Sequence, residues 1–283
     1  MERTSHCERF ARTAGRRWRP APAIRLSAAF HLSGVAALAF DPAFWPYVGM
    51  ALGANHAALA AAGMWPRSSL LGPNLQRLPP ESVSRREIAL TFDDGPHPAV
   101  TPRVLDLLDH YHAKATFFCV GIRAATHLDI TQEIARRGHI VENHTQRHPG
   151  FFAAYGMRRL RREIEAAQET LQAICGRAPR FLRAPAGFRN PLLDPVLTDL
   201  ELTYVSWTRR GFDTVDRDPR RVLQRLTHKL SAGDVLVLHD GSAARTRDGV
   251  PLVLSVLPPL LERLQTQRLT PVSLASACSG RAQ

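Results

Sequence analysis

From residue 87 onward the chain alternates short apolar runs with longer amphipathic ones, and this constrains its fold more than any other feature. The apolar runs fall at 87–92, 115–120, 139–142, 180–183, 203–207, 234–238 and 270–274, each of a length suited to a buried strand. Helical stretches lie between them, most clearly at 157–174 and 252–267. Strands that alternate with helices pair in parallel, because each crossover carries the chain back to start the next strand in the same direction. The expectation is an α/β fold with seven parallel strands. A chain of 283 residues, 45% hydrophobic and 22% charged, has the length and composition for one such globular domain with a segment to spare.

The spare segment is at the front. From Leu26 to Pro66 the only formal charge is Asp41. The stretch divides at Asp41-Pro-Ala-Phe-Trp-Pro46 into arms 26–40 and 47–65, with Asn55 and His56 interrupting the second. Three readings are open: a membrane-embedded or re-entrant helical hairpin, a signal peptide with a weak cleavage site near Ala37-Leu38-Ala39, and a soluble hairpin packed on the domain. The segment 1–25 is Arg-rich, and Arg67, Arg77, Arg85 and Arg86 follow the second arm, whereas the turn carries no Lys or Arg. The positive-inside bias therefore predicts both flanks on the cytoplasmic face of a bacterial inner membrane and the turn outside; a signal peptide would instead make the following domain periplasmic or secreted. Residues 67–86, rich in Pro, Ser and Arg without an apolar period, read as a linker to a domain at 87–283.

The net charge of +12 resides mostly before residue 87, so a nucleic-acid groove is not expected. Cys7, Cys119, Cys175 and Cys278 are widely spaced, which excludes a disulfide scaffold or a zinc finger, and Cys119 reads as a core residue.

Polar clusters follow the strands. Asp93-Asp94 ends the first, His144 and His148 follow the third, Arg183 the fourth, Asp213 the fifth and His239-Asp240 the sixth. In a parallel barrel those carboxyl ends share one face, where active sites are assembled. His144 and His148 at i, i+4 suit two corners of a metal site on a helical face, or are a chance pair. Asp93 and Asp94 suit a ligand beside a base, or an Asp turn before Gly95-Pro96. Arg183 suits a partner for a buried carboxylate, or is a surface charge; His239 suits a general acid, or is a satisfied core histidine.

Taken together, T-F-D-D-G-P at 91–96, H-T-x-x-H at 144–148, R-x-P-x-G at 183–187 and L-V-L-H-D at 236–240 resemble the signature motifs of NodB-type polysaccharide deacetylases, carbohydrate esterase family four. The resemblance implies a distorted (β/α)7 barrel and a divalent metal, usually zinc. It implies Asp94, His144 and His148 as metal ligands, Asp93 as base, Arg183 as its partner, His239 as acid and Asp213 as the carboxylate that tunes His239. Val237 and Leu238 would wall the acyl pocket, and a backbone N–H near Ala186 would meet the oxyanion. The implied reaction is attack of water on an N-acyl carbonyl of an amino sugar.

This sequence departs from that pattern at Ala186, where the family commonly has Tyr or Phe, at Thr214, where Trp is usual, and at Arg209 and Arg210, where an acid is often seen. Arg189, Arg209 and Arg210 therefore suggest an Arg-rich mouth, with Arg210 as a substrate contact. The expected substrate is an N-acetyl or N-formyl amino sugar, in a glycan or on a lipid-linked phosphate carrier. Deacetylation of peptidoglycan outside the cell and an inactive carbohydrate-binding barrel are the alternatives.

Overall fold

Residues 17–279 are described here, in a computed structural model; Cys7 and most of the Arg-rich segment lie outside them. Two antiparallel helices come first: α1 (Pro22–Phe40) and α2 (Trp45–Met64), joined by the 3-10 turn Pro42–Phe44. Pro22 at the first helical position starts α1 four residues before the arm read from the sequence, and Asp41 Oδ1 accepts from the Ala43 N–H at 2.9 Å to cap the turn. The 19 residues of α1 span about 28 Å and have a mean hydropathy of 1.5, long and apolar enough to cross a membrane. Asn55 Nδ2 donates to Ser27 Oγ at 2.8 Å, and the His31 and His56 rings meet edge to face, so the polar interruptions of the two arms face each other. The hairpin is not packed along the domain: in α1 only Ser27 and in α2 only Gly63 are buried, while Leu26, Leu32, Val35, Phe40 and Met50 are exposed.

Residues 67–86 are not a free linker. Leu71, Leu75 and Leu78 are buried, Leu75 bridges Val205 in parallel, Arg77 bridges Asp234, and α3 (Pro80–Ser84) leads into the first strand. The segment has no helical or strand period because it lies extended against the sheet and is anchored through single leucines.

The sheet is parallel throughout and curls on itself in the order β5-β4-β3-β2-β1-β7-β6, with β8 also paired to β1. The strands are β1 (Glu87–Asp93), β2 (Thr116–Cys119), β3 (Ile140–Asn143), β4 (Phe181–Leu182), β5 (Thr203–Tyr204), β6 (Arg209–Arg210), β7 (Val235–His239) and β8 (Thr270–Val272). Seven follow the expected runs. The eighth, β6, has no apolar signal: the chain from Thr203 to Arg210 leaves β4 at one end and joins β7 at the other.

Helices cover the outside: α4 (Thr101–His110), α5 (Gly121–Thr126), α6 (Leu128–Arg136), α7 (Met157–Cys175), α8 (Leu193–Asp199), α9 (Pro219–Thr227), α10 (Leu252–Thr266) and α11 (Leu274–Ser279). In α7 the apolar stripe Leu160, Ile164, Ala167 and Leu171 faces the sheet, and Gly176 in the left-handed region ends the helix. Strand alternation divides the core in two. Ala89, Phe118, Val205, Trp207, Val235 and Val237 fill the inside with Leu75 and Leu78, while Leu90, Phe92, Leu236 and Leu238 pack outward with Val104, Leu257 and Leu260.

Candidate active site

The buried strand β1 delivers Asp93 at its carboxyl end, on the inner face it shares with Thr91. Asp94 adopts a left-handed backbone (φ 69°), and this reversal keeps the second carboxylate at the site instead of sending it to the opposite face. Its Oδ1 lies 3.0 Å from His144 Nε2 and 3.1 Å from His148 Nε2. Gly95 must lack a side chain here, because a Cβ would stand 2.3 Å from the Asp240 carboxylate.

The histidines follow β3, but not on a helical face. Residues 144–148 form a loop in which Thr145 (φ 65°) and His148 (φ 52°) are left-handed, and this turn, not helical spacing, brings the two rings to 4.9 Å. The loop is held by Asn143, whose Oδ1 accepts from the Thr145 N–H at 2.8 Å and whose Nδ2 donates to Ile164 O at 3.0 Å.

One carboxylate oxygen and two imidazole nitrogens thus lie within 4.8 Å of one another. This donor set fits a zinc-type divalent cation with room for further ligands. The fit is supported by His144 Nδ1, which lies 2.8 Å from Arg183 O: donating there leaves the Nε2 lone pair facing the cluster. Burial opposes ionisation of Asp94, yet the two histidine rings beside it hold its carboxyl well below the usual carboxylate range.

Arg183 is fully buried, and its Nη1 donates to Asp93 Oδ1 at 2.6 Å and to Thr91 Oγ1 at 2.8 Å. Nη2 donates to Ser206 O at 3.1 Å, and the guanidinium lies over the rings of Phe118 and Trp207. A buried ion pair of this kind is strong when further donors are used, as those to Thr91 and Ser206 are here, while Nε has no acceptor. Across the site, Asp213 accepts from the His239 N–H at 2.7 Å and from His239 Nδ1 at 2.9 Å, which fixes the ring. Burial disfavours the imidazolium, but the facing Asp213 carboxylate outweighs it and His239 is lifted to about 9. The group is therefore a proton donor at neutral pH.

The seven residues predicted as catalytic or metal-binding lie together in three groups: the Asp94-His144-His148 cluster, the Asp93–Arg183 pair and the His239–Asp213 pair. The predicted substrate contacts fare differently. Val237 points inward below His239, but Leu238 is packed between sheet and helices and does not line an acyl pocket, because adjacent strand residues face opposite sides. Ala186 is exposed at the rim in a left-handed conformation (φ 55°). Of the three predicted mouth arginines, Arg209 and Arg210 stand beside Trp207 and Arg189 does not. Arg189 is buried and donates to the carbonyls of Ser68, Gly72 and Pro73; Arg209 pairs with Asp234 and donates to the carbonyls of His228 and Lys229.

Sequence reasoning missed several supports. Ser242 donates to Asp94 Oδ2, and Arg123 Nη1 donates to Asp94 O at 2.5 Å. Thr101 donates to Asp240, whose carboxyl burial pushes up to about 7. It also missed that α2 ends on the carboxyl face of the sheet. Arg189 N donates to Gly63 O at 3.0 Å, a Cβ on Gly63 would meet Arg189 O at 2.2 Å, and Pro66 packs on Gly187 beside Trp207. The only signals for these contacts were isolated glycines and small polar residues, which are common everywhere.

The model of the family described as polysaccharide deacetylase matches residues 81–205. A chitooligosaccharide deacetylase of Azorhizobium caulinodans is 34% identical over 159 residues, covering 56% of this chain and 75% of the relative. The chain belongs to the polysaccharide deacetylase family. Membership makes it a hydrolase of the amide bond in sugar N-acetyl groups. A peptidoglycan-N-acetylglucosamine deacetylase of Bacillus cereus is 31% identical over 180 residues, covering 62% of this chain and, just under two thirds, 64% of the relative. Among solved structures, a family 4 carbohydrate esterase from Streptomyces lividans in complex with acetate superposes with a TM-score of 0.60 at 27% identity, covering 70% of this chain and 96% of that one. As in other polysaccharide deacetylases, the curled parallel sheet carries the site at its carboxyl end.

Proposed function

We propose that this deacetylase is a metal-dependent hydrolase that removes an acetyl, or the smaller formyl, group from an amino sugar held at a membrane surface. The observation that carries the reading is the Asp94-His144-His148 cluster set between a buried Asp93–Arg183 pair and a protonated His239. A divalent metal, zinc by its donor set, would be held by those three residues and would polarise the amide carbonyl and acidify a water. Asp93, oriented by the Arg183 guanidinium, takes a proton from the attacking water. His239 gives its Nε2 proton to the leaving amine, and Asp213 steadies the ring as that proton departs.

The exposed apolar hairpin, with α1 long and apolar enough to span, supports anchoring of the catalytic domain, and arginines on both flanks favour the cytoplasmic side for that domain, with the turn across the membrane. Sealed inside-out vesicles holding the full-length protein should release acetate from impermeant tetra-N-acetylchitotetraose, and a chelator should abolish the release. No release even by metal-loaded, solubilised protein would contradict the activity; release confined to right-side-out vesicles would contradict the sidedness.

A further inference from the structure

Where the hairpin meets the barrel there is a cavity of about 520 Å³ that belongs to neither alone. The end of α2 supplies Met64, the turn after it Trp65 and Arg67, and the barrel rim Trp207, Arg210 and Phe212. Trp207 connects the cavity to the chemistry, since it lines this space and also stands over Arg183, the partner of Asp93.

The cavity is cationic. Two of its four arginines are already committed: Arg209 to Asp234, and Arg225 to Asp216 and the carbonyl of Gly211. Arg67 and Arg210 have no carboxylate partner among the described residues. Arg210 is half-buried between the rings of Trp207 and Phe212, and its Nε is sealed from solvent without a hydrogen-bond acceptor. What points to an anion is the rest of the guanidinium, a planar fork of donors at the cavity wall that matches a phosphate and has no carboxylate to meet it. The opposite side of the same cavity is apolar and continuous with the hairpin, where Met64 and Trp65 are largely exposed.

We infer that this cavity receives the phosphate of an amino sugar carried on a phosphate-linked lipid. Arg67 and Arg210 bind the phosphate, the lipid runs along the end of α2, and the sugar reaches past Trp207 to the Asp93–His239 site. This identification of the substrate class rests on the deacetylase reading above. It explains why the polypeptide fastens the end of an apolar helix onto the active-site face through Gly63 and Arg189, and not to the far side of the barrel.

The test compares two synthetic probes in neutral detergent with metal-loaded, full-length protein: N-acetylglucosamine joined to farnesol through a phosphate, and the same sugar joined to farnesol directly. The wild type should deacetylate the phosphate-linked probe with kcat/KM about tenfold higher or more, and this ratio should fall to about 2 or less in Arg67→Gln/Arg210→Gln. Farnesyl phosphate should compete with the phosphate-linked probe, whereas farnesol and inorganic phosphate at the same concentration should not. Arg67 is exposed, so Arg67→Gln alone folds and should show part of the loss. A ratio near 1 in the wild type, a ratio retained in the variants, or equal competition by inorganic phosphate overturns the inference. Turnover of the neutral probe in those cases leaves the deacetylase reading standing, and release of acetate from neither probe nor from chitotetraose sinks that reading itself.

Discussion

Asp213 shows how one side chain sets the chemistry of another. It accepts both the backbone and the ring N–H of His239, and its charge keeps the imidazolium stable in a buried place. Replacing it as Asp213→Asn leaves burial as the main influence, which lowers the His239 pKa. Loss of the acid then occurs at lower pH, so the alkaline limb of the pH–rate profile, about 9 in the wild type, should move down by about one unit or more. An unmoved limb would show that His239 is not the titrating acid. The same sign governs stability: because the folded value exceeds the ordinary 6.5, protonation of His239 contributes stability below that pH, and the contribution is lost as pH rises through about 9. At this scale the sequence was readable wherever residue type carried chemistry at a strand end, as with Asp93, Asp94, Arg183 and His239. Ser242 was not readable, because a hydroxyl on a loop gains meaning only when the loop places it against Asp94.

Among the elements, the strands with apolar runs were legible because burial on both faces leaves a strong signal. Those without such runs were not. Arg209-Arg210 joins the sheet through its backbone bonds to β7, and residues 67–78 act as packing for the barrel while looking like a linker. Leu75 decides the second case: it is 2% exposed in the inner core, bridges Val205, and both its N–H and its carbonyl are hydrogen-bonded to the chain at Tyr204 and Ser206. Leu75→Ala should therefore lower the unfolding free energy by about 2–5 kcal/mol in denaturant titration. A change within about 0.5 kcal/mol, as for an exposed linker, would contradict its place in the core. The histidine loop teaches a related lesson, since the i, i+4 pair does meet but without the helical face that its spacing suggested. Left-handed residues at Thr145 and His148 do what a helical turn was expected to do.

The whole molecule joins two parts that the sequence presents separately. An apolar hairpin and a deacetylase barrel were each legible, but their attachment was not, because Gly63 and Arg189 lie far apart in the chain and carry no mutual signal. That attachment turns the carboxyl face of the sheet toward the hairpin, so under the proposed function membrane anchoring and substrate access become one arrangement. Everything in the account depends on the three-residue cluster and Asp93 acting together as a hydrolytic centre. The most direct measurement is single-turnover acetate release from tetra-N-acetylchitotetraose by metal-loaded, full-length protein, comparing the wild type with Asp93→Asn at matched metal content. The account predicts metal retained near one per chain in both and a rate about 10²–10⁴-fold lower in the variant. A variant that binds metal equally and releases acetate at the wild-type rate would contradict it.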